Sequence, residues 1–193
     1  MIYCGDASDC LEQLTPASIH TCIAHPPYWQ AHEDGDLGGE RNFNAYLSTL
    51  VSIFKDVHHS LISSGDLWLI VDTLDIVMLL KASGWFHAHT CQWKSDYIIH
   101  CYATPQRVRP LEMQWNFPQY DEHSVASLQY YTPLPSTLVA HCIQLSTVVG
   151  DTVLDLFSGT GVTTLTAHKL ARHTVSIDND PIACAMLEAR LNK

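Results

Sequence analysis

The sequence predicts an α/β domain on a doubly wound, mostly parallel sheet, and three observations carry that reading. Short apolar runs alternate with stretches of helical spacing along most of the chain, the pattern of a parallel sheet covered on both faces. Near the C-terminus, residues 152–157 form an apolar run, the glycine-bearing turn Phe157-Ser158-Gly159-Thr160-Gly161 follows, and residues 161–171 read as a helix. A second apolar run, 174–178, then ends on Asp178, completing the strand, turn, helix, strand, acid order of half a Rossmann-like nucleotide-binding fold.

The remaining elements follow in order. Residues 1–4 read as a strand, 7–14 as a short helix and 18–24 as a strand that delivers Ala24-His25-Pro26-Pro27-Tyr28-Trp29. A polar loop, 30–41, leads to a helix over 43–62, whose apolar residues Tyr46, Leu47, Leu50, Val51, Phe54, Val57 and Leu61 recur at helical spacing. Ser63-Ser64-Gly65-Asp66 reads as the stop of that helix, 67–71 as a buried strand, 74–82 as a helix and 85–101 as two strands. Residues 103–131 carry no clear pattern, and 135–145 read as a helix. Asp180 as N-cap and Pro181 at the first helical position open the last helix.

With 193 residues and 47% hydrophobic content the chain can bury one core, which predicts a single domain. No apolar run approaches the roughly 20 residues of a membrane helix, and the first residues lack the basic start and apolar stretch of a signal peptide, so a cytoplasmic location without membrane contact is expected. Seven scattered cysteines without a Cys-x-x-Cys pair read as small buried side chains. The twelve histidines include His58-His59 and the pair His87 and His89, yet no metal-like spacing, so no metal site is expected. The net charge of −10, with ten Lys and Arg in all, leaves little for phosphate contact beyond Lys94, Arg107 and Arg109.

Two motifs carry chemistry. Gly159 and Gly161 let the backbone turn sharply and approach a ligand, the following helix aims its first amides at it, and Asp178 is placed to accept from ribose hydroxyls. The Phe-x-Gly-x-Gly turn differs from the Gly-x-Gly-x-x-Gly fingerprint, which argues against a nicotinamide dinucleotide. At the other end of the chain, Pro26-Pro27 stiffens a turn and leaves carbonyls without neighbouring amide donors.

Taken together, with the Pro-Pro-Tyr turn first and the glycine turn last, these residues resemble the permuted (beta-class) DNA amino-methyltransferases, most nearly the cytosine-N4 members. The resemblance implies an S-adenosylmethionine-dependent methyltransferase fold with permuted motif order. A catalytic half would span 1–117, a short remnant of the recognition region 118–131 and the cofactor half 132–193. It implies that Asp155, Phe157, Ser158, Gly159 and Gly161 surround S-adenosyl-L-methionine and that Asp178 holds its ribose. Thr132 and Pro133 would pack beside the methionine tail and Asp6 would approach the adenine. Leu156 stands where the family usually has proline.

In this family an acceptor at the first motif position and the carbonyl of the first proline draw an exocyclic amino group toward tetrahedral geometry. Here those are His25 and Pro26, with Pro27 stiffening the turn and Tyr28 stacking on a base flipped out of DNA. The family usually has Asp, Asn or Ser where this chain has His25. A neutral imidazole has one acceptor nitrogen and a protonated one has none, so the rate is expected to fall below about pH 6.5.

Trp29, Gly38-Gly39-Glu40 and the segment 63–69 are most similar to cytosine-N4 members, while adenine N6 stays open as the target. The resemblance implies DNA contact by Trp29, Lys94, Arg107 and Arg109. The insertion is too short for a folded sequence reader, which points to a very short site, a homodimer or a separate recognition subunit. His25 and the acidic balance also fit a catalytically silent, cofactor-binding subunit of a larger assembly. Restriction-linked modification, phage-borne modification and a regulatory role all remain open. Trp85, Trp93 and Trp115 are expected in the core.

Overall fold

The computed structural model of the protein describes residues 1–31, 37–106, 111–112, 114–118 and 133–192. Among these, seven strands form one sheet: β1 (Ile2–Cys4), β2 (Ile19–Ala24), β3 (Leu61–Val71), β4 (Phe86–Trp93), β5 (Asp96–Tyr102), β6 (Thr152–Leu156) and β7 (His173–Asp178). Six helices accompany them among the described residues: α1 (Ala7–Leu11), α2 (Phe43–Ser60), α3 (Asp75–Ala82), α4 (Ser136–Ser146), α5 (Val162–Lys169) and α6 (Pro181–Leu191). The strand order is β1-β7-β6-β2-β3-β5-β4. All neighbours pair in parallel up to β3, and β5 runs antiparallel between β3 and β4. The doubly wound α/β expectation therefore holds, with an antiparallel hairpin closing one side.

The central strands are apolar on both faces because both faces are covered. Cys22, Ala24, Leu67, Leu69, Leu154 and Leu156 pack with α1, α2 and α3, while Ile23, Trp68, Ile70 and Val153 pack with α4 and α5. This alternation explains why the strands read as nearly continuous apolar runs. Helix α2 buries Tyr46, Leu50, Phe54 and Val57, the stripe its spacing announced. Trp85, Trp93 and Trp115 are core residues as expected.

One boundary differs from the sequence reading. Ser63-Ser64-Gly65-Asp66 is not a loop after α2; the chain enters β3 directly at Leu61, and a register irregularity absorbs the polar residues. Gly65 is needed there, because a Cβ would press on the carbonyls of Ile62 and His20. Asp66 is buried rather than exposed. It accepts from His100 Nε2 at 2.8 Å and from the Ser146 hydroxyl, which in turn accepts from Trp68 Nε1. His100 also stacks on Trp68 with ring centroids 3.8 Å apart. Asp66→Ala would strand these donors in the core, and a loss of about 1–3 kcal/mol in urea unfolding is expected. An unchanged midpoint would contradict this account of the network.

Candidate active site

The topology brings the two motifs together. Strands β2 and β6 are neighbours in parallel register, with Ala24 opposite Leu156. From β6 the chain winds to β7 on one side; from β2 it winds to β3 on the other. His25-Pro26-Pro27-Tyr28 and Phe157–Gly161 thus leave adjacent strand ends at the switch point of the sheet, where α/β folds bind ligands. His25-Pro26-Pro27-Tyr28 and Phe157–Thr160 share one cleft of about 1010 Å³, whose walls also include Asp6, Pro133, Asp155 and Asp178, while Gly161 does not line it.

The glycine turn is held from beneath and behind. Phe157 has φ +63°, a left-handed conformation that costs a bulky residue energy and persists only where its surroundings enforce it. Gly159 (φ +50°) donates its amide to Asp178 Oδ2 at 2.6 Å, and Asp180 N donates to Oδ1 at 3.0 Å. Asp178 therefore pins the turn as well as facing the cleft, a task the sequence did not reveal. Gly161 has φ +79°, and a Cβ there would run into the Leu187 side chain of α6. Arg190, also on α6, donates to the Thr160 carbonyl at 2.6 Å. Arg190→Met should loosen the turn and weaken occupancy of the cleft about tenfold by calorimetry, the worth of one charge-assisted hydrogen bond; equal affinity would exclude this support.

Beneath the turn, Asp155 is buried and accepts from the amide and hydroxyl of Thr164 at 2.9 and 2.7 Å. Burial pushes its carboxyl up to about 7, against the pull of those Thr164 bonds. Ser158 is buried beside it, and its Oγ has no hydrogen-bond partner among the described residues, although it lines the cleft. Asp6 lines the cleft too, but its Oδ1 caps α1 by accepting from Ser8 N and Asp9 N. Asp6 is thus the N-cap of α1, and any role toward a ligand is additional. Thr132, predicted beside Pro133, lies outside the described residues.

The cleft has a definite charge. Asp6, Asp155, Asp178, Asp180 and Glu40 line it, and no Lys or Arg does among the described residues. A pyrophosphate would meet only carboxylates, whereas a cationic ligand is complementary. The acid at the end of β7 gives such a ligand a hydrogen-bond acceptor.

The Pro-Pro-Tyr turn is fixed from α2. The Tyr46 hydroxyl donates to the Pro27 carbonyl at 3.0 Å, which orients the turn and leaves the Pro26 carbonyl uncommitted to it. Nothing in the sequence separates Tyr46 from the apolar stripe of α2. His25 Nε2 lies 3.3 Å from the Tyr28 hydroxyl, with the rings edge to face. Burial lowers the His25 imidazole to about 4. Burial thus favours the neutral ring below the range of a free histidine, and any rate loss from His25 protonation is expected at lower pH than about 6.5. The sign for folding is the opposite of harmless. Between about pH 6.5 and 4 the unfolded chain takes up a proton that the folded site refuses, so this group subtracts stability as pH falls through that window.

Trp29 does not line the cleft. Its indole N–H donates to the Glu40 carbonyl at 3.1 Å and its ring packs on Phe43, so it anchors the start of the following loop. The half-buried Trp29 is thereby engaged with Phe43 and Glu40, and the DNA contact expected of it has no place on the cleft wall. Lys94 is exposed at the β4–β5 turn with φ +56°, at the same end of the sheet as the cleft. Arg107 and Arg109 lie outside the described residues. Asp72, after β3, and Asp96, at the start of β5, both act on the Tyr28 hydroxyl and were not singled out in the sequence.

Comparison with known proteins agrees with this arrangement. The N6_N4_Mtase family model, described as DNA methylase, matches residues 84–189, more than half of the chain. The chain belongs to this DNA methylase family. A type II methyltransferase of Streptomyces fimbriatus, M.SfiI, is 39% identical over 71 residues, which are 35% of this chain and 17% of that protein. The matched stretch thus spans less than a fifth of that relative. PvuII DNA methyltransferase, a cytosine-N4-specific enzyme, has a similar fold, with a TM-score of 0.79, 17% identity and coverage of 98% of this chain and 85% of that one. TTHA0409 of Thermus thermophilus, in a structure complexed with S-adenosyl-L-methionine, gives a TM-score of 0.75 at 21% identity, covering 98% and 91%. Among the described residues no helix is long and apolar enough to cross a membrane.

Proposed function

We propose that the chain is an S-adenosylmethionine-dependent DNA amino-methyltransferase that acts on cytosine N4. The observation that carries this is the register of β2 on β6, which sets His25-Pro26-Pro27-Tyr28 and the glycine turn around one acidic cleft. S-adenosylmethionine supplies a methyl group on a cationic sulfur when bound. The chain's own residues do the rest. Asp178 holds the cofactor, and the turn from Phe157 to Gly161, Ser158 included, orients it. The Pro26 carbonyl and a neutral His25 accept from the two N–H bonds of the amino group, while Tyr28 covers the base. The base must leave the duplex to reach them. Support for cytosine comes from the segments around Trp29, Glu40 and 63–69, and adenine N6 is the alternative target.

Lys94, Arg107 and Arg109 are the groups proposed to meet phosphates. With a net charge of −10, a second copy of the chain or a separate subunit would add DNA affinity. The halves 1–117 and 132–193, with 118–131 as a remnant insertion, are part of this reading. Strand β1 qualifies it, since it pairs with β7 at the cofactor end.

Transfer of a labelled methyl group from S-adenosylmethionine to duplex DNA, retained on a filter, tests the proposal. Incorporation is expected; cofactor binding without transfer would favour the catalytically silent reading. The Asp155 carboxyl adds a pH test. A cation in the cleft favours its ionised form, so below about pH 7 binding must expel a proton. The dissociation constant should rise by up to about tenfold per pH unit as pH falls. Affinity independent of pH between about 5.5 and 8 would remove Asp155 from the cofactor's surroundings.

A further inference from the structure

Two consecutive prolines leave the turn at His25-Pro26-Pro27-Tyr28 with few free torsions. Each ring fixes its own φ at about −65°. A residue before proline is confined to extended backbone, so Pro26 restricts the ψ of His25 and Pro27 restricts the ψ of Pro26. The peptide units themselves are planar. Between the Pro26 carbonyl and the Tyr28 Cα, the one torsion that stays soft is the ψ of Pro27. It sets where Tyr28 stands relative to the Pro26 carbonyl.

That torsion is gripped from α2. Rotation about it swings the Pro27 carbonyl, and this carbonyl accepts from the Tyr46 hydroxyl at 3.0 Å. Tyr46 is fully buried and does not line the cleft. Its ring stacks on Phe43 with centroids 6.2 Å apart, and Phe43 packs on Trp29 at 5.4 Å. The first turns of one helix therefore hold the residues on either side of Tyr28. The carbonyls of the turn divide accordingly. That of Pro27 takes the Tyr46 hydroxyl, and that of Tyr28 takes the Ala31 amide at 3.0 Å. Pro26 is buried on the cleft wall, and its carbonyl has no donor among the described residues. Buried carbonyls are nearly always paired, so the open one is placed for a donor on a ligand. Burial, with Asp72 and Glu40 adding to it, raises the Tyr46 phenol above its ordinary range, so the hydroxyl stays a donor.

We propose that Tyr46 is a positioning residue for methyl transfer: its hydroxyl fixes the Pro27 carbonyl and so holds the open Pro26 carbonyl and Tyr28 in the arrangement that receives the target base. This rests on the function proposed above, since only an amino-group substrate needs that carbonyl as acceptor. Tyr46 lies off the cleft wall and acts through Pro27. Phenylalanine would fill the same space in the apolar stripe of α2, so the hydroxyl serves the turn and not the core.

Tyr46→Phe removes the hydroxyl and leaves the ring. In transfer assays with the full chain, kcat is expected to fall about tenfold to a hundredfold, the cost of a small misplacement at the reacting centre. KM for S-adenosylmethionine should stay within about twofold, because the glycine turn is untouched. An unchanged kcat, or a KM that rises in step with the fall in kcat, overturns the proposal. The contact itself is read without any activity. Pro27-Tyr28 is the one Pro–Tyr bond of the sequence, so carbonyl-13C proline with 15N tyrosine gives a single correlated signal. Loss of the hydrogen bond is expected to move the Pro27 carbonyl signal upfield in Tyr46→Phe, and a signal that stays in place overturns the proposal. Should Tyr46→Phe fail to fold by circular dichroism, 3-fluorotyrosine at position 46 replaces it. Its more acidic hydroxyl is expected to move the same signal downfield, and an unmoved signal again overturns the proposal. The two readouts fail separately. A moved signal in a chain that methylates nothing refutes the proposed function, and the role with it, while the contact stands. An unmoved signal in an active chain refutes the role alone.

Discussion

Replacing Asp178 by alanine is expected to weaken S-adenosylmethionine binding by about a hundredfold or more, read by calorimetry. The carboxylate does two things at once. It holds the turn, through the Gly159 amide at 2.6 Å and the Asp180 amide at 3.0 Å, and it faces the cleft where the ribose is proposed to lie. Each charge-assisted bond of this kind contributes about 1.5–3 kcal/mol, so losing the ligand contact and the preorganised turn together amounts to at least two powers of ten. Asp178→Asn keeps one acceptor oxygen and should fall between wild type and alanine. Binding unchanged in Asp178→Ala would remove the cofactor assignment altogether.

Replacing His25 by leucine is expected to lower methyl transfer by about a hundredfold to a thousandfold, the usual effect of deleting one preorganised polar group aimed at the reacting centre. Cofactor affinity should stay within about twofold, because His25 belongs to the β2 side of the cleft and the glycine turn to the β6 side. The wild-type kcat, measured with saturating cofactor, should be flat from about pH 5.5 to about 8, since burial holds the imidazole near pH 4. A rate that follows a group of about pKa 6.5 would mean that the ring is solvated and that this picture of the wall is wrong. His25→Ser asks a separate question: a large gain in rate would show that histidine impairs the natural chain.

The fold was legible because its signals are local. Strands covered on both faces show as unbroken apolar runs, and Gly159, Gly161, Asp180 and Pro181 mark the turn and the last helix by backbone requirements that few residues meet. What pairs with what was not local. The neighbour of β2 is β6, some 130 positions away, and only that pairing turns two motifs into one site. The resemblance to a permuted family supplied this connection where spacing could not.

The misreadings have physical causes. Ser63-Ser64-Gly65-Asp66 has the composition of a turn, yet it enters a strand, because His100 and Ser146 satisfy Asp66 from β5 and α4. Trp29 follows the Pro-Pro-Tyr motif in sequence but packs away from the cleft, on Phe43 and the Glu40 carbonyl. Tyr46 is indistinguishable from its apolar neighbours until its hydroxyl is seen on the Pro27 carbonyl. The effect of burial on His25 was equally invisible, since a sequence gives the ordinary pKa and not the wall around the ring.

Nucleoside mass spectrometry tests the central claim most directly. DNA is incubated with the purified protein and methyl-labelled S-adenosylmethionine at about pH 7.5, where His25 is neutral, and then digested to nucleosides. The account predicts labelled N4-methylcytosine. Labelled N6-methyladenine would keep the reaction and overturn the choice of base. A chain that binds the cofactor yet leaves every base unlabelled would contradict the proposal that this cleft methylates DNA.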